Sequence, residues 1–104
     1  MIQSFRVLRQ AERELDLARK WYDEQRYGLG LVFFDAFEAA LEHAQRFPEA
    51  GIAVLDSRLA RPVRRFPLRG FPFHIVMTIV DGALVVVAVA HARRKPGYWL
   101  ERIK

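Results

Sequence analysis

Apolar and polar positions change period several times along the 104-residue chain, and each change marks an element. Residues 2–8 alternate around Phe5 and Val7 and read as a first strand. From Ala11 the spacing turns helical: Ala11, Leu15, Ala18 and Tyr22 share one stripe, widened by Leu17 and Trp21. Glu12, Glu14, Asp16 and Arg19 fall largely outside that stripe and read as a solvated acidic face. The run Tyr27-Gly28-Leu29-Gly30 stops this helix near Gln25. A second helix is predicted over residues 31–46, with Phe33, Phe37, Ala40, Leu41 and Ala44 inward and Asp35, Glu38, Glu42 and Gln45 outward. Pro48 ends it, because proline has no amide to continue the hydrogen-bond ladder.

Residues 49–61 show no clean period and read as a loop with a short apolar patch, Ile52 to Leu55. Three strand-like runs follow. Residues 62–68 place Arg64, Phe66 and Leu68 on one face and Val63 and Arg65 on the other, and Pro62 and Pro67 suit an edge position. Residues 71–80 alternate Phe73, Ile75, Met77 and Ile79 with His74, Val76, Thr78 and Val80. Asp81-Gly82 is a two-residue hairpin signal, since both central residues of such a turn need positive φ. Residues 84–90 are apolar on both faces, as in a central strand. The basic, aromatic tail from His91 carries one short helix from Tyr98.

The order β-α-α-β-β-β predicts an α+β fold. A helical hairpin packs on one face of a mostly antiparallel four-stranded sheet, and the other face stays partly open. No repeat or linker divides the chain, so a single domain over residues 1–104 is expected.

Composition narrows the class. The chain is 52% hydrophobic and 12% aromatic, beyond what disordered chains carry. The longest apolar run, Ala83 to Ala90, is too short to span a bilayer as a helix, and the first residues show no secretory leader. Without cysteine there is no disulfide framework and no thiolate metal site. A soluble cytoplasmic protein without membrane association is expected.

The net charge of +5 hides a segregation. Residues 1–57 hold 7 basic and 10 acidic side chains, a net of −3, whereas residues 58–104 hold 10 and 2, a net of +8. Nearly all the cations are arginines, whose planar fork suits bidentate phosphate contacts and base stacking.

The chemistry-bearing residues gather where the central strand ends. His91-Ala92-Arg93-Arg94-Lys95-Pro96-Gly97-Tyr98-Trp99 combines an imidazole, three cations, a phenol and an indole. Arg61, Arg64, Arg65 and Arg69 flank the neighbouring strand and complete a candidate phosphate-binding patch with Lys95. RNA cleavage by the ribose 2′-hydroxyl would use His91 as base or acid, Arg93 and Arg94 to stabilise the phosphorane, and Tyr98 as a proton donor or stacking platform. It would need no metal and no cofactor. Each residue also has a structural role open to it. His91 can end the strand with a hydrogen bond, Trp99 can cover the sheet, and the cations can form a solvated run. His74 reads as structural or surface, and His43 has no partner at metal-ligand spacing. Phosphate-loop, nucleophile-elbow, dinucleotide and zinc patterns are all absent from the sequence.

With these elements in order, the chain resembles the RelE/ParE superfamily of type II toxin–antitoxin toxins. Three stretches carry the resemblance: residues 11–30, with Glu14-Leu15, Trp21-Tyr22 and the run from Gln25 to Gly30; residues 63–76, with Arg64-Arg65-Phe66-Pro67-Leu68 and Phe71-Pro72-Phe73; and residues 87–99. The resemblance implies a small acidic antitoxin that wraps the toxin with a helix and an extended segment, with a toxin–antitoxin heterotetramer as one assembly. It implies two kinds of target. RelE-like members cleave mRNA on the ribosome without metal, and the positions matching their pattern are Arg64 or Arg65, Arg93 or Arg94, and Tyr98. ParE-like members poison DNA gyrase and need no nuclease site. This chain lacks the lysines that RelE-like nucleases carry around the second strand, a gap that His91 would fill. The first expectation is therefore a ribosome-dependent mRNA endonuclease. A gyrase inhibitor that acts by binding is the second, and a non-toxic relative that retains only antitoxin binding is the third.

Overall fold

The computed structural model describes residues 2–103; Met1 and Lys104, the ends of the predicted domain, lie outside the described residues. Strand β1 (Phe5–Val7) leads into helix α1 (Arg9–Gln25), which turns into helix α2 (Leu29–Arg46). A single 3-10 turn at Pro48–Ala50 is followed by β2 (Ile52–Ala53), β3 (Val63–Pro67), β4 (Phe73–Val80) and β5 (Ala83–His91), and a final 3-10 turn spans Leu100–Ile103. The sheet runs in the order β1-β5-β4-β3-β2, with β1 parallel to β5 and every other pair antiparallel.

The helical hairpin forms where the apolar stripes required it. Ala11, Leu15 and Ala18 of α1 and Phe33, Phe37, Ala40, Leu41 and Ala44 of α2 are buried against Phe66, Leu68, Ile75, Met77, Leu84, Val86 and Val89 of the sheet. Leu17 and Trp21, expected to widen the α1 stripe, are instead 67% and 56% exposed. Both lie on the flank of α1 that turns away from the sheet. The tight connection between the helices leaves amides at the start of α2 without helical partners. Asp23 supplies the acceptor: its Oδ1 receives the Gly28 N–H at 3.1 Å and the Gly30 N–H at 2.9 Å. Tyr22, Phe33, Phe71 and Phe73 form an aromatic cluster with ring centroids 4.9–6.1 Å apart, pinning the hairpin to the turn between β3 and β4.

The hairpin of β4 and β5 closes at Asp81 (φ 50°) and Gly82 (φ 78°), the conformation its two-residue loop requires. Pairing runs from Phe73↔His91 to Val80↔Ala83, with one irregularity: Val76 pairs Ala88 but Met77 pairs Val86, so Val87 is an extra residue in β5. Beyond that bulge the alternation changes phase. Val85, Val87, Ala88 and Ala90 face away from the helices, whereas Leu84, Val86 and Val89 face them.

Two expectations are corrected. Among the described residues the sheet has five strands rather than four, because Ile52 and Ala53, read as loop, pair with Arg65 and Arg64. Two residues are too few to show a period. What seats them is Gly51, where an added Cβ would lie 2.4 Å from the Phe66 ring, so only glycine lets the backbone come this close. The far face of the sheet stays partly open, as expected. It is closed over much of its area by the tail: Trp99 and Leu100 are buried with Val63, Val76, Val85 and Val87, flanked by Leu8, Val54, Leu59 and Ile103. The first strand is also shorter than predicted, since Ile2 gives its N–H to Gln45 O of α2 (2.7 Å) instead of joining the sheet. Among the described residues, no helix is long and apolar enough to cross a membrane.

Candidate functional site

Where the tail does not reach, the far face of the sheet opens into a cleft of about 450 Å³. Its walls come from the end of β2 and the residues after it (Ala53, Val54, Leu55) and from the tail between Ala92 and Trp99, and Val76 and Ala90 lie among its apolar lining. Arg65, His74, His91, Arg94 and Lys95 supply its polar groups, and no carboxylate stands among its described lining residues. The cleft is therefore an anion-attracting slot with an apolar interior.

The nine residues nominated from sequence do not all converge. His91, Arg94, Tyr98, Lys95 and Arg65 line the cleft. Arg64 turns the other way, donating from Nη1 to Gly51 O at 2.8 Å. Arg61 borders a separate shallow groove with Arg6, Thr78 and Arg102. Arg69 and Arg93 are exposed and outside the lining. This division follows from strand alternation: Arg65 shares the face of Val63, whereas Arg64 shares that of Phe66.

His91 and Tyr98 are both engaged. The His91 ring lies edge-on to Phe73 with centroids 4.9 Å apart, and its Nδ1 accepts the Arg93 N–H at 3.0 Å. With Nδ1 as acceptor, the neutral ring carries its proton on Nε2, so His91 offers a donor rather than a free basic nitrogen. The Tyr98 hydroxyl donates to Glu14 Oε2 at 2.6 Å. Burial, and then this bond to a carboxylate, push the phenol well above its ordinary range, so it holds its proton firmly.

Glu14 was misread from sequence as part of a solvated face. It sits at the centre of a network, 15% exposed, accepting from Arg102 Nη1 (2.9 Å) and Nη2 (3.1 Å), from the Val89 N–H (3.1 Å) and from Tyr98. Arg102, 16% exposed, also donates to Val87 O at 3.1 Å. The cause lies in β1, which pairs with β5 only through Val86 before turning into α1. Past that point the β5 edge has lost its partner strand, and Arg102 and Glu14 satisfy its Val87 carbonyl and Val89 amide. A signal was present: Glu14 lies three residues after Ala11 and four before Ala18, at the margin of the buried stripe. His74 was also missed as a lining residue. It is half-buried, and burial together with nearby Arg65 lowers its pKa below the usual imidazole value. Arg94 lies over the Tyr98 ring, its guanidinium carbon 3.9 Å from the centroid.

The comparisons with known proteins agree with this architecture. Residues 5–96 match the family described as ParE toxin of type II toxin-antitoxin system, parDE. A solved structure titled "Chromosomal ParDE TA system from P. aeruginosa" superposes with a TM-score of 0.71 at 15% identity, covering 86% of this chain and 96% of that one. At that identity the likeness is one of fold. No curated protein sequence matches the chain. Since the family match extends over most of the sequence, the chain belongs to the ParE toxin family of type II toxin–antitoxin systems.

Proposed function

We propose that this toxin acts by binding DNA gyrase and not by cutting RNA, with the cation-rimmed cleft as part of its contact surface. The match to the ParE family over residues 5–96 carries the reading, and it takes the second expectation from sequence over the first. The chemistry of the cleft supports it. Cleavage at a ribose 2′-hydroxyl needs a group free to accept a proton and another free to give one. His91 has its Nδ1 occupied by the Arg93 amide, and Tyr98 has its hydroxyl committed to Glu14. Arg65, Arg94 and Lys95 remain as contact groups for an acidic surface or a phosphate backbone.

The cognate antitoxin is a second partner, small and acidic. The apolar side chains left exposed on the helical hairpin, Leu17, Trp21, Leu31 and Val32, suit the apolar face of its helix.

The deciding experiment is a supercoiling assay with purified gyrase, run beside primer extension on messages from induced cells. Loss of supercoiling with intact messages supports the reading. Codon-specific cuts with supercoiling intact would refute it and restore the nuclease expectation.

A further inference from the structure

The Glu14 network does more than satisfy a strand edge. Its donors, the Val89 amide and Arg102, fix the carboxylate against the edge of β5. The same carboxylate holds the Tyr98 hydroxyl, and the Tyr98 ring in turn carries the Arg94 guanidinium at the rim of the cleft. A guanidinium on an exposed loop otherwise samples many rotamers, and binding must then bear the entropy of ordering it. Arg102 approaches the same ring, its guanidinium carbon 5.1 Å from the centroid, which adds to the fixing of the phenol.

We infer that Glu14, which does not line the cleft, is a positioning residue for it: through Tyr98 it orders Arg94 for contact with an anionic partner. The inference rests on the cleft being a contact surface, and it assigns to α1 a part in building a site otherwise made of strand ends and tail. In this chain the rim arginine is set by a residue 80 positions earlier in the sequence.

The test combines a spectroscopic reading with a binding cycle. A cation resting on an aromatic face feels the ring current, so the Arg94 side-chain protons should resonate upfield in the wild-type protein. Glu14→Gln should move them most of the way to their free positions while core methyl signals such as those of Ile75 stay in place. Tyr98→Phe leaves the Glu14–Arg102–Val89 contacts intact and should act the same way, which covers the case in which Glu14→Gln does not fold. In binding to purified gyrase, Glu14→Gln and Arg94→Ala should each weaken affinity by about two- to fivefold, the scale of an exposed cation–π contact. The double variant should be no weaker than Arg94→Ala alone. Arg94 resonances unchanged in both Glu14→Gln and Tyr98→Phe, or losses that multiply in the double variant, would overturn the inference. Arg94 signals that move while all variants bind gyrase like the wild type would uphold the positioning and refute the gyrase surface instead.

Discussion

Replacing Glu14 with alanine tests whether the network at the β5 edge holds the fold. The substitution strips Arg102 of its counter-charge and leaves the buried Val89 amide and the Tyr98 hydroxyl without their acceptor. Breaking a buried ion pair from one side costs about 3–5 kcal/mol. Here Arg102 and Glu14 keep 16% and 15% of their side-chain surface in water, so the lower end, about 3 kcal/mol, is appropriate. For a domain of this size that corresponds to a fall in Tm on the order of 12–24 °C. Glu42→Ala is the matched control: its i,i+4 pair with Arg46 spans 3.7 Å, with side chains 71% and 57% exposed, and should matter by only a few tenths of a kcal/mol. Thermal melts followed by circular dichroism at pH 7 would read both. A Glu14→Ala midpoint within about 2 °C of the Glu42→Ala midpoint would refute the reasoning, since such a gap is worth well under 1 kcal/mol. Changing Glu14 to Leu and Arg102 to Met together should recover part of the loss, because apolar replacement removes the stranded charge.

Three further outcomes follow from packing and titration. Gly51→Ala should destabilise by about 1–3 kcal/mol in urea denaturation, because its Cβ would lie 2.4 Å from the Phe66 ring. Trp99→Ala should cost about 3–5 kcal/mol by the same assay, since Trp99 is 4% exposed and closes the far face of the sheet. His74 has its pKa lowered by burial and by Arg65, so the unfolded chain binds the proton more readily than the folded one. Its contribution is therefore present above the unfolded value near 6.5 and lost as pH falls through the lowered folded value. His74→Gln should flatten the Tm-against-pH curve below about pH 6.5, and an unchanged slope would count against this account.

Much of the architecture could be read from the chain because its strongest signals are local. The β4–β5 hairpin was legible from the alternation of residues 71–80, the Asp81-Gly82 turn and the apolar run that follows, and α2 from five inward positions that are all buried. What escaped was long-range. β2 is two residues long and exists because Gly51 admits Phe66. The closing of the far face depends on where Trp99 and Leu100 fold back, 84 and 85 residues after Leu15 in the opposite core, and no periodicity records that. The cleft was half legible. The cluster after β5 was found as a group, but alternation separates Arg65 from Arg64, and nothing in sequence said which of the two shares the open face. Glu14 was hidden by its neighbours Glu12, Arg13 and Asp16, whose charges make the whole segment look wet.

The extra residue in β5 has a consequence for descent within the family. Strand side chains obey a parity rule, and a single inserted residue reverses it for everything downstream. In this chain the count from Gly82 to His91 sets the imidazole against Phe73 at the sheet's end, where it borders the cleft. Deleting Val87 would restore the odd-even pattern, turn the His91 side chain away from Phe73, and draw the tail back by about 3.3 Å, one strand residue. A one-codon change in mid-strand thus acts as a switch on the chemistry displayed at the strand's end. Relatives that differ by such a step would present different side chains at the same rim with little change in fold.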